Sequence, residues 1–126
     1  MNGLNVTSAR GRHLRFRELV ILWLRASGID SVTARREFRK ISDTLSEPQQ
    51  PAGDLLGIDG WTVNVSTGVT RDLSGDLDRV QQAALREGQD GGAVVYTRPG
   101  RPVGDAYVLM TLDAFSSVLR DRAARG

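Results

Sequence analysis

The chain has 126 residues, no cysteine, one histidine and a net charge of +2. That length suits one domain with one core, and the lack of cysteine excludes disulfides and thiolate metal sites. His13 alone excludes zinc sites of the usual kind and a serine–histidine triad. The longest apolar run, Leu19 to Leu24, is too short to span a bilayer, and the N-terminus has no signal-peptide pattern, so a soluble, intracellular protein is expected.

Charge is uneven along the chain. Up to Lys40 nine basic residues stand against three acidic; from Ile41 to Thr97 the balance reverses to three against nine, and beyond it five stand against three. A basic first third fits a phosphate backbone as partner, and it also fits a solvated helix face.

Residues 1–11 have no periodicity and read as a flexible tail, 12–122 as a single domain, and 123–126 as a basic tail. From Arg12 onward, Phe16, Leu19, Val20, Trp23 and Leu24 recur at helical spacing up to Gly28, so a well-buried first helix is expected. Ser31 to Arg39 reads as a first strand. Its Arg35, Arg36 and Arg39, with Lys40, form the densest basic cluster, which either protects a sheet edge against pairing or contacts phosphates. Residues 42–52, with Pro48 and Pro51, read as a loop that is either a flap over a site or simply disordered.

The segment from Gly53 to Thr67 is the centre of the pattern. Leu55, Leu56 and Ile58 form a short apolar run and Asp59-Gly60 is a hairpin dipeptide. Beyond it, Trp61, Val63 and Val65 alternate with Thr62, Asn64 and Ser66 at the strand period of two. Asp72 caps a second helix through Leu73, Leu77, Val80 and Ala84, closed by Gly88. On that helix Asp76, Asp78, Arg79, Gln82 and Arg86 face outward or towards a cleft. Ala93 to Tyr96 reads as a buried strand, Thr97 to Asp105 as a basic turn and Tyr107 to Met110 as the last strand. Thr111 then caps an amphipathic helix carrying Leu112, Phe115, Val118 and Leu119. The order helix, strand, hairpin, helix, strand, strand, helix predicts an α/β chain with a mixed sheet of the α+β kind. The middle helix makes a right-handed crossover.

An ordered set of short motifs carries a resemblance. They are Gly53-Asp54-Leu55-Leu56-Gly57 with the strand after it, Asp72-Leu73-Ser74-Gly75 with Leu77-Asp78, Val94-Val95-Tyr96 before Arg98-Pro99-Gly100-Arg101, and Gly104-Asp105-Ala106-Tyr107-Val108-Leu109-Met110. From about Arg12 to Leu119 the chain resembles the PD-(D/E)xK nuclease superfamily, in particular the small Holliday junction resolvases of actinobacterial phages. The resemblance implies a restriction-endonuclease-like core and Mg²⁺-dependent DNA cleavage. It places an acidic ligand at Asp54, a glutamate and a lysine at Asn64 and Ser66 on the next strand, and a glutamate of the first helix at Glu18. In that chemistry the carboxylates hold Mg²⁺ against the scissile phosphate, and the lysine orients the attacking water.

Both later positions depart from the pattern. Asn64 brings no charge and Ser66 no ammonium, so Asp54 is left as at best a weak Mg²⁺ ligand and the expected cofactor is none or a weakly held Mg²⁺. Losing one such electrostatic group costs on the order of 10² to 10³ in rate. Other readings of the same residues stand alongside. Asp54 also reads as a turn or strand-start residue, and Thr62, Asn64 and Ser66 as the solvent face of a strand. Glu18 also reads as an ion-paired helix residue, Gln82 as a solvated or cleft-lining one, and His13 as a residue in solvent before the first helix.

Three functions follow as expectations. The first is a binder of DNA duplex or junction that has lost efficient cleavage and contacts phosphates through Arg35, Arg36, Arg39, Lys40, Arg98 and Arg101. The second is a structural or assembly protein of a phage particle, oligomeric through strand edges or the final helix. The third is an active nuclease with migrated ligands, Asp54 joined by Glu18, Asp72 or Asp78 and with Arg71 replacing the lysine. The expected location is the host cytoplasm or the phage particle, and the expected assembly a homodimer or higher homo-oligomer.

Overall fold

In a computed structural model, residues 8–35, 54–68 and 71–125 are described. Helix α1 spans Ala9–Ala26 and is followed by strands β1 (Thr33–Ala34), β2 (Leu55–Leu56) and β3 (Trp61–Ser66). Helix α2 (Leu73–Arg86), β4 (Gly91–Tyr96), a short 3-10 turn, β5 (Tyr107–Leu109) and α3 (Leu112–Arg125) complete the chain. The five strands lie in the order β1-β2-β3-β4-β5, antiparallel throughout except for the parallel pair β3 and β4. This is the mixed sheet and the element order expected, with α2 as the crossover between the parallel strands.

The element ends differ from the sequence reading for local reasons. Helix α1 starts at Ala9, inside the stretch expected as tail, because the Ser8 hydroxyl oxygen accepts the Gly11 N–H at 2.9 Å. Helix α3 runs on to Arg125 through most of the expected basic tail, and its last turn carries Arg122 and Arg125, cations that suit the negative end of a helix dipole. The first strand, expected over Ser31 to Arg39, is limited to Thr33–Ala34 among the described residues. Arg36, Arg39, Lys40, the 42–52 loop and Gly53 lie outside the described residues.

The hairpin forms where its dipeptide predicts, with Gly60 at φ 80° and the Trp61 N–H donating to the Ile58 carbonyl at 3.1 Å. Odd-numbered positions of β3 face α1: Val63 and Val65 pack with Phe16, Val20, Ile21, Val32 and Leu55. The opposite face of the sheet packs Val94 and Tyr96 against Val80 of α2. Thr62, Asn64 and Ser66 therefore point towards α2 and are not a solvent face; Thr62 is only 2% exposed and the other two are half-buried. Gly92, the register partner of Thr62, allows this close seat, because a Cβ there would stand 2.8 Å from the Val80 carbonyl oxygen.

Two helices are less buried than their patterns predict. On α1 the buried apolar side chains are Phe16, Val20 and Ile21, while Leu22 and Trp23 are half exposed. On α3 only Ala114 is buried, and the apolar stripe is turned away from the body. Among the described residues no helix is long and apolar enough to cross a membrane.

Candidate functional site

Asp54 sits immediately before β2, where the sheet brings it beside β3. Its backbone N–H is shared between the Val63 carbonyl at 2.9 Å and the Asn64 side-chain oxygen at 3.1 Å. Its carboxylate Oδ2 accepts the Val65 N–H at 2.8 Å, and its carbonyl accepts the Arg35 N–H at 2.9 Å. Its other carboxylate oxygen, Oδ1, faces His13 Nε2 at 3.5 Å. His13 thus lies on α1 against Asp54 and not in solvent ahead of the helix. Glu18, five positions further along, points about 140° away around the helix and is exposed.

Beyond Asp54 an open cleft of about 230 Å³ runs between β3 and α2, lined by Asn64, Ser66, Asp76, Arg79 and Arg86 among others. Asp76 is fully engaged: the Tyr96 hydroxyl donates to its Oδ2 at 2.9 Å, and Arg79 pairs with its Oδ1. Burial, then the hydrogen bond to Asp76 and that residue's charge, push the Tyr96 hydroxyl up to about 12, so it remains a donor at any ordinary pH. In the lining of the cleft the two carboxylates Asp54 and Asp76 are matched by the two guanidiniums Arg79 and Arg86.

A hard cation needs several oxygen ligands and an excess of negative charge, whereas Asp54 Oδ2 and Asn64 Oδ1 already accept backbone N–H groups and arginines offset the carboxylates. Among the described residues no three acidic or histidine side chains come together as a metal group. The alternative ligands are elsewhere. Asp72 caps α2 by accepting the Gly75 N–H at 3.0 Å, and Asp78 is exposed. Arg71, the candidate substitute for the lysine, stacks over the rings of Tyr96 at 5.0 Å and Tyr107 at 5.8 Å and donates to the Thr97 carbonyl.

The described members of the expected phosphate-contacting set are each held in place. Arg35 Nη2 lies 3.5 Å from Glu87, Arg98 stacks on Tyr107 at 4.6 Å, and Arg101 pairs with Asp105 at 3.1 Å. Strands β1 and β3 are both antiparallel to β2, and β4 is parallel to β3. Arg98 and Arg101 follow the C-terminal end of β4, whereas Arg35, level with Asn64 in the sheet, reaches Glu87 at the C-terminal end of α2, near the start of β4, so these described arginines do not gather at one end of the sheet.

The sequence reading left Asp76, Arg79 and Arg86 open between solvent and cleft; they line the cleft, and their shared helix face was the available signal. Gln82 is exposed. Its neighbour Gln81 reaches the sheet instead, accepting the Gly92 N–H at 2.9 Å. His13 was missed because its partner is remote in sequence. No protein-family model, curated protein or solved structure matches this chain.

Proposed function

We propose that this chain binds DNA without cutting it: a degenerate relative of the Holliday junction resolvases, built on a restriction-endonuclease-like core and gripping duplex or junction through phosphates. The observation that carries this reading is the state of Asp54 and Asn64. One oxygen of the carboxylate and the amide oxygen that a nuclease would turn to a metal accept backbone N–H groups of the β2–β3 pair, and Ser66 offers no cation to a developing charge. The helix, three strands, helix, strand order agrees with such a core. Arg98 and Arg101, in the turn that follows β4, give a place for a phosphate backbone. On this reading the protein works in the host cytoplasm, holds no Mg²⁺ of functional weight, and acts by occupancy.

A gel shift with duplex and four-way junction at low salt tests the reading. Binding that weakens steeply as salt rises supports it, through release of counterions from the phosphates. No shift of either DNA at low salt rules it out.

A second reading, a structural or assembly role in a phage particle, is favoured by one observation, the uncovered apolar side of α3. Co-purification with particles supports it; absence from particles counts against it.

A further inference from the structure

Four side chains are layered where β4 runs out into the turn before β5. The Arg71 guanidinium lies 5.0 Å from the centre of the Tyr96 ring and 5.8 Å from that of Tyr107, and the Arg98 guanidinium lies 4.6 Å from that of Tyr107. The sheet imposes this neighbourhood, because Tyr96 and Tyr107 are register partners and stand on the same face. Tyr96 is closed over, 2% exposed and with its hydroxyl bound to Asp76; Tyr107 lies on the edge strand and is 50% exposed. Neither guanidinium is neutralised. Arg79 and Arg101 each face an aspartate, but among the described residues Arg71 and Arg98 have no carboxylate partner. Arg71 donates to the Thr97 carbonyl and Arg98 to the Asp105 carbonyl at 3.4 Å, which leaves most of their N–H groups open to an acceptor from outside.

We propose that Arg71, Tyr107 and Arg98 form a stacking platform for the unpaired nucleotides of single-stranded DNA. This rests on the reading of the chain as a DNA binder and names the class of DNA, a strand whose bases are free. A nucleotide has two parts, and the cluster has a group for each. The phosphate is an anion for two cations that have no carboxylate of their own, and the base is a flat π-surface for a half-exposed ring and the guanidiniums beside it. Both guanidiniums are already oriented by the rings, so little side-chain freedom is lost when they bind. The ring is what separates one kind of DNA from another. In a duplex each base shows its faces only to its neighbours in the stack, so a duplex has phosphates for the arginines and nothing for Tyr107. Stacking is indifferent to base identity, because every base has a π-face. The platform is also a different place from the cleft, since β4 separates β5 from Asn64 and Ser66 on β3.

Fluorescence anisotropy at low salt, with a labelled oligothymidine and a duplex of the same length, tests the platform. The natural chain should bind the single strand at least as tightly as the duplex, although the single strand carries half the charge. Tyr107→Leu keeps the apolar bulk and removes the ring; it should weaken single-strand binding about tenfold or more and duplex binding much less. Tyr107→Phe keeps the ring and should stay within about twofold of the natural chain on both DNAs. One 2-aminopurine placed in the oligothymidine reads the stacking itself. Its emission should be quenched by the natural and Tyr107→Phe proteins and not by Tyr107→Leu, and the result with the natural chain does not depend on how any variant folds. A clear preference for the duplex, equal losses on both DNAs in Tyr107→Leu, or unquenched 2-aminopurine on the natural chain overturns the platform and leaves the binding of DNA standing. Binding to neither DNA overturns both together.

Discussion

The Asn64 side-chain oxygen accepts the Asp54 backbone N–H at 3.1 Å, while the Asp54 carboxylate accepts the N–H of Val65, the residue after Asn64, at 2.8 Å. The two side chains thus clamp the edge of β3 to the start of β2. The clamp uses the Asn64 oxygen and one of the two Asp54 carboxylate oxygens, Oδ2.

Removing the clamp should cost stability rather than activity. Asp54→Ala leaves the Val65 N–H without its acceptor and should destabilise the fold by about 1–2 kcal/mol, read from the midpoint of a urea titration. Asp54→Asn retains an acceptor oxygen and should cost less than half as much. Equal losses in the two variants would mean that the carboxylate's charge, and so its pairing with His13, is what matters.

Tyr96 gives the fold a loss of stability at high pH. Its hydroxyl is raised from 10.0 in the unfolded chain to about 12 by burial and by the bond to Asp76. A raised folded value means that the stability is fully present below pH 10 and is lost between roughly pH 10 and 12, in all on the order of 2–3 kcal/mol. Unfolding free energies measured across that window should fall for the natural chain, and the Tyr96→Phe variant should lack most of the fall.

Gly92→Ala tests the closeness of α2 to the sheet. The added methyl meets the Val80 carbonyl oxygen at 2.8 Å, and moving the helix disturbs the Gln81 bond and the cleft together. A loss of about 1–3 kcal/mol is expected in a thermal or urea melt. A neutral substitution would show that α2 rides higher on the strands than described.

If DNA is the partner, Arg98→Gln and Arg101→Gln should each weaken binding to all sequences alike. Each removes one cation from the phosphate backbone and should lower the slope of log affinity against log salt by about one. An unchanged slope would remove these two residues from the interface.

Much of the fold was legible because its signals are local. The Asp59-Gly60 turn, the period-two alternation of β3, the Asp72 cap and the glycines closing the helices each act within a few residues, and the element order followed from them. What was not legible is what packs against what. The polar positions Thr62, Asn64 and Ser66 look like a solvent face by pattern, and only the placement of α2 puts them beneath a helix. His13 meets Asp54 across a long stretch of chain, a pairing no window in sequence reports. The stripe on α3 has the pattern of a core-facing helix, and pattern alone does not distinguish its own core from another molecule.

The most direct test is to incubate a labelled four-way junction with the natural protein at low salt in Mg²⁺, beside an Asn64→Glu, Ser66→Lys double variant, and resolve both bound and cut DNA. The natural protein is expected to shift the junction and leave every strand intact, whatever the restored groups do in the variant. Junction cleavage by the natural protein that Asp54→Ala abolishes would contradict a binding protein without nuclease activity.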